Sequence, residues 1–129
     1  MNITSNKNFE ERYIALRRKE NRVYSDKEVF QLPDIDVKHQ HYREWMIRKA
    51  STKKIINFLK KKKCALKIVE IGCGNGWLCN QLSKIENSEV TGLDINLTEL
   101  KQAERVFENN HCLKFVYGEI DADALADKK

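Results

Sequence analysis

Residues 66–77 read Leu66-Lys67-Ile68-Val69-Glu70-Ile71-Gly72-Cys73-Gly74-Asn75-Gly76-Trp77. A run rich in β-branched side chains stops at three glycines in alternate positions. The run predicts a strand, and the glycines predict a tight turn whose backbone can approach a ligand closely. A short helical pattern follows at once, from Trp77 to Ile85. The first amides of that helix face the turn and suit a carboxylate or phosphate.

Toward the C-terminus the same grammar repeats. Glu89 to Ile95 reads as a second strand. Leu97 to Glu108 reads as a helix with Leu97, Leu100, Ala103 and Phe107 on one side. Leu113 to Tyr117 reads as a third strand, and Gly118 to Lys129 as a loop with a partial helix. Strand-helix-strand-helix-strand predicts an α/β fold with an incomplete, Rossmann-like parallel sheet of about three strands in the order 3-2-1. Helices are expected on both of its faces.

Toward the N-terminus the pattern is helical. Phe9, Tyr13 and Leu16 recur at helical spacing within Asn8 to Asn21. Ser25 and Glu28 form a capping box for a short helix to Gln31, which Pro33 ends. Trp45, Met46, Ile55, Ile56 and Leu59 trace a face of a helical region from Val37 to Lys63, with a break expected at Ser51-Thr52. The chain thus divides into a helical extension, residues 1–36, and the sheet region, residues 37–129.

Asp94 ends the second strand, 22 residues after Gly72. That spacing places a carboxylate beside the glycine loop, where it can accept hydrogen bonds from a ribose diol. A dinucleotide fingerprint, G-x-G-x-x-G, needs its third glycine at residue 77, which is Trp77. No Gly-Lys-Ser/Thr follows either, so a phosphate-cradling P-loop is excluded. Glu70, two residues before the first glycine, is misplaced for a pyrophosphate. It suits a ligand carrying an ammonium or sulfonium.

With Glu70-x-Gly72-x-Gly74-x-Gly76 followed by Asp94, the chain resembles the class I S-adenosylmethionine-dependent methyltransferases. The resemblance implies that Glu70, Gly72, Cys73, Gly74 and Gly76 hold the methionine moiety. It implies Asp94 on the ribose hydroxyls and Ile95 against the adenine. Tyr117-Gly118-Glu119-Ile120 is similar to the family's third strand and acidic turn, which puts Glu119 and Ile120 at the adenine, with Glu119 where the family often has Asp. Trp45-Met46-Ile47-Arg48 is weakly similar to an aromatic helix that carries an arginine in some members; Arg48 is read here as a solvated helix residue.

The family's sheet usually has seven strands, and three are legible here. The resemblance implies the N-terminal, cofactor-binding part of an enzyme that moves a methyl group to an unidentified acceptor. It implies S-adenosylmethionine and S-adenosylhomocysteine as ligands. The wall facing the acceptor lies beyond the legible strands, so no turnover is expected of this chain alone, and no catalytic residue is assigned. In the complete fold Leu66 to Ile71 is a central strand. Here its edge is expected to be open, and self-association through it follows.

Composition narrows the rest. At 129 residues the chain has the length of one domain. No long apolar run is present, so a membrane span is excluded, and residues 1–11 are too polar for a secretory leader. Cys64, Cys73, Cys79 and Cys112 contain no C-x-x-C pair and read as free thiols in a reducing cytoplasm. Residues 1–63 carry a net +9 and residues 64–129 a net −4. The basic half supports an alternative reading, a non-enzymatic module that contacts RNA or an acidic protein. The Lys60–Lys63 run also suits the end of a helix dipole, and no aromatic platform accompanies it, so nucleic acid is not the favoured partner. Asp34, Asp36, His39 and His41 have metal-ligating chemistry. On a helix, however, His39 and His41 point apart, so no metal site is assigned. Trp45 and Trp77 are read as packing groups.

Overall fold

The computed structural model describes residues 3–20 and 22–118. In chain order the elements are α1 (Ile3–Lys19), α2 (Asp26–Gln31), α3 (Tyr42–Lys60), β1 (Leu66–Ile71), α4 (Trp77–Ser83), β2 (Ser88–Asp94), α5 (Leu97–Val106) and β3 (Leu113–Tyr117). The strands form one parallel sheet with β2 in the middle, the order expected from the alternating grammar. The loop-and-partial-helix expectation for the C-terminus falls mostly on residues 119–129, outside the described residues.

Register fixes what shares a face. Ile68, Val90 and Leu113 form one row across the sheet, and Glu70, Gly92 and Phe115 form the next. Parallel partners point to the same side, so this face collects most of the buried apolar groups. Ile56 and Leu59 of α3, Cys79 and Leu82 of α4 and Leu100 of α5 pack against it with Leu66, Ile68, Val90 and Phe115. Both crossovers step the same way across the sheet, so right-handed connections carry α4 and α5 to one side. Of the two faces on which the sequence places helices, this one therefore carries α3, α4 and α5. On the other, Val69 and Ile71 are 40% and 64% exposed.

A second cluster joins the N-terminal segment to the sheet region. Tyr24, Val29, Leu32 and Ile35 pack with Trp45 and Phe107. Trp45 is 1% exposed and its indole donates to the Tyr24 hydroxyl at 2.9 Å. Its ring meets Tyr24 and Trp77 edge-on, with centroids at 5.7 and 5.0 Å. The Ser25–Glu28 capping box is formed in full, each side chain taking the other's backbone amide. Asp26, at the start of α2, grips Arg105 of α5 through two hydrogen bonds of 2.7 and 2.8 Å.

Two boundaries differ from expectation for local reasons. α3 runs unbroken through Ser51-Thr52, because the Thr52 hydroxyl donates back to the Arg48 carbonyl at 2.7 Å and the residue is buried. α3 also starts at Tyr42 rather than Val37, since the Asp36 side chain takes the Lys38 amide and turns the chain first. No helix among the described residues is long and apolar enough to cross a membrane.

Candidate cofactor site

The site grows from the end of β1. Gly72, Gly74 and Gly76 all lie in the left-handed region, with φ of +69°, +55° and +81°. At Gly76 the reason is steric as well. A Cβ there would lie 2.7 Å from the Phe115 ring and 3.0 Å from the Ala103 methyl, neither of which can withdraw. Nothing lies within 4 Å of the Cβ position at Gly72, so the loop is open on that side. The amides of Gly72 and Cys73 both donate to the Leu93 carbonyl, which ties the turn to the end of β2.

Asp94 is the hub. Its carboxylate accepts the Gly74 amide at 2.6 Å and the Asn96 amide at 2.8 Å, and its carbonyl accepts the Gly118 amide at 3.1 Å. One residue thus joins the glycine loop, the start of α5 and the end of β3. The carboxylate is half-buried, and two amide donors leave it further acceptor capacity. Ile95, half-buried, lies directly beside it. Asn96 caps α5 by accepting the Glu99 amide, while its own buried side-chain nitrogen has no hydrogen-bond partner among the described residues. An orphaned donor beside a fixed carboxylate, next to an open loop, fits a polar ligand that brings both acceptors and hydroxyls.

Glu70 lies beneath the loop, where it accepts the Cys79 thiol at 3.0 Å. Burial raises the pKa of Glu70, partly offset by that hydrogen bond. The Cys79 thiol is itself raised by its contact with Cys73, by burial and by the Glu70 charge, so it stays protonated as a donor. Both sulfurs sit over Gly92, where a Cβ would lie 2.7 Å from the Cys73 sulfur and 3.0 Å from that of Cys79. A carboxyl with a raised folded-state pKa is favoured protonated, so its burial penalty is absent below the unfolded value near 4.5. The penalty grows as pH rises through the folded value. Glu70→Gln should therefore raise the melting temperature at pH 7 and change it little at pH 4. Equal shifts at both pH values would show that Glu70 is not strained by its charge.

The sequence reading missed a third group, supplied by α1 and α5. The Glu99 carboxylate lies over Gly74, with one oxygen 2.5 Å from where a Cβ would be. Burial raises its pKa, against the opposing pull of Arg17, whose Nε is 3.6 Å away. The Glu10 carboxylate reaches α5 and accepts both the amide and the hydroxyl of Thr98, at 2.5 and 2.6 Å. No local signal marks these residues: a Glu in the first turn of a helix usually serves only the dipole. Tyr13, also on α1, has a raised pKa from burial and then from the nearby Glu99 charge.

Of the nine residues assigned from the sequence, Glu70, Gly72, Cys73, Gly74, Gly76, Asp94 and Ile95 come together at the ends of β1 and β2. Glu119 and Ile120 lie outside the described residues. Trp45 and Trp77 pack against each other, as expected. Arg48 differs from the solvated expectation: its guanidinium stacks 4.6 Å from the Trp45 ring and pairs with Glu44 at 2.8 Å. His39 accepts the His41 amide, and among the described residues no group of three acidic, histidine or cysteine side chains is placed to hold a metal.

Comparison with known proteins bears on the fold. Residues 68–129 match the family model described as a methyltransferase domain. That match takes in the sheet region from β1 onward. Among solved structures, the S-adenosylhomocysteine-bound methyltransferase PaMTH1 of Podospora anserina is 16% identical, with a TM-score of 0.51. That match covers 59% of this chain and 35% of that one. EvdMO1 is 20% identical with a TM-score of 0.50, covering 57% of this chain and 19% of that one. At such identities the likeness is one of fold. No curated protein matches the chain. The chain spans well under half the length of these two structures.

Proposed function

We propose that this chain is the cofactor-binding part of an S-adenosylmethionine-dependent methyltransferase whose acceptor is unidentified. The observation that carries the reading is Asp94, held by the Gly74 and Asn96 amides at the mouth of a loop of three left-handed glycines. The methyltransferase-domain match over residues 68–129 and the S-adenosylhomocysteine bound to PaMTH1 support it.

S-adenosylmethionine supplies an electrophilic methyl group on its sulfonium. The chain's own residues bind and orient. Asp94 accepts the ribose hydroxyls, with the Asn96 amide group beside it as a donor. Ile95 offers an apolar surface for the adenine, and Glu119 and Ile120 complete that end. Gly72, Cys73, Gly74 and Gly76 let the backbone lie close to the methionine portion, where Glu70 supplies negative charge for its ammonium. Positioning supplies most of the catalytic advantage in such a transfer, so a dedicated base is not required of this half of the site. We assign the chain to a reducing compartment such as the cytoplasm, in keeping with its free thiols.

Calorimetry tests the reading. S-adenosylhomocysteine should bind measurably to the chain and more tightly than NAD. Tighter binding of NAD would overturn the assignment.

The reading extends to a second copy of the chain. Among the described residues β1 pairs with β2 alone, and Val69 and Ile71 on the adjoining uncovered face are exposed. Such an edge carries unpaired amides and carbonyls, and Lys67 is its one positive charge. Light scattering should show the average mass rising with protein concentration. A uniform monomer at high concentration, with fast amide exchange along Leu66 to Ile71, would contradict this.

A further inference from the structure

Between α1 and α5 lies a cavity of about 280 Å3 that reaches the glycine loop. Four cations line it: Arg18, Arg22, Lys101 and Arg105. Two of them are already neutralised. Arg22 makes two hydrogen bonds to Glu44, at 3.2 and 2.9 Å, and Arg105 is held by Asp26. The other two, Arg18 and Lys101, have no ion-pair partner among the described residues. They come from separate helices, so the fold, and not a local charge run, brings them to one cavity.

The inner wall is polar as well. Asn75, 7% exposed, lines the cavity, and its side-chain oxygen accepts the Trp77 amide at 3.2 Å. Its side-chain nitrogen donates to no group among the described residues. Glu99 also lines the cavity, but its carboxylate is turned to Arg17 and to Gly74. Two unpaired cations and an unpaired amide donor around a small cavity are complementary to an anion.

We propose that the cavity between α1 and α5 binds a small ligand through a carboxylate or phosphate group, held by Arg18 and Lys101 with the Asn75 amide as neutral donor. The size suits a small metabolite. The site adjoins the glycine loop, so the group it holds belongs either to a separate acidic ligand, such as an acid-bearing methyl acceptor, or to the cofactor's own carboxylate. Only that last distinction rests on the methyltransferase reading.

The test is a titration of the full chain with inorganic phosphate, at ionic strength held constant with sodium chloride, followed by amide chemical shifts. Saturable shifts are expected at Asn75, Glu99, Lys101 and Gln102. In the double variant Arg18→Gln, Lys101→Gln the affinity should fall by about tenfold or more. Both side chains are exposed and unpaired, so the variant should keep the wild-type circular dichroism. Repeating the titration on protein saturated with S-adenosylhomocysteine separates the sources. Unchanged phosphate binding assigns the site to a separate ligand, and displacement assigns it to the cofactor's carboxylate. Phosphate binding without any binding of S-adenosylhomocysteine would leave the anion site standing while removing the methyltransferase reading. Shifts no larger than chloride produces, or an affinity unchanged in the double variant, would overturn the proposal.

Discussion

Trp45→Ala should lower the stability of the chain by about 3–5 kcal/mol, the range for truncating a buried tryptophan. Trp45 is 1% exposed and ties its own helix to two other segments. It bonds to Tyr24 of the N-terminal segment, packs edge-on against Trp77 at the start of α4, and carries Arg48 over its face. Losing it opens a cavity between those segments and strands the Tyr24 hydroxyl. Because natural domains hold only about 5–15 kcal/mol in reserve, the loss is a large share of the total. The urea midpoint should fall accordingly, whereas Trp45→Phe should recover much of it, losing the bond to Tyr24 but keeping the ring. A midpoint unchanged in the alanine variant would show that the aromatic cluster does not hold the N-terminal segment.

Asp94→Ala should lower the affinity for S-adenosylhomocysteine by about tenfold or more. A charge-assisted hydrogen bond contributes ~1.5–3 kcal/mol, and each 1.4 kcal/mol is tenfold. The change removes the acceptor for the ribose and also releases the Gly74 amide, which Asp94 holds at 2.6 Å. Asp94→Asn separates these roles. It keeps one acceptor for a backbone amide but removes the charge, so loop order should survive while affinity still falls. An unchanged affinity in the alanine variant would place the ribose elsewhere.

What could be read from the chain follows how local each determinant is. β1 was legible to the residue because a six-residue run with four apolar side chains, three of them β-branched, ends at glycine. The capping box of α2 was legible because both partners lie three residues apart. The glycine loop and Asp94 were legible because the strand-helix alternation brings them together by rule. The Thr52 position in α3 was not, since a hydroxyl that bonds back to its own helix looks in sequence like one that breaks it. Nor were Glu10, Arg17 and Glu99, whose partners lie on elements distant in the chain and whose residue types are ordinary on any helix surface. The cavity beside the loop belongs to this second class: neither Arg18 nor Lys101 is informative until α1 lies against α5.

The bond from Glu10 to Thr98 also has a consequence for how the chain is made. The two residues are 88 positions apart, and Thr98 is near the start of α5. At ribosomal rates of 5–20 residues per second, α1 leaves the ribosome roughly 4–18 seconds before its docking surface has been synthesised. α1 therefore cannot make this contact until the start of α5 has emerged. Until then Glu10 and Arg17 lack their partners on α5, and the sheet region can assemble without them.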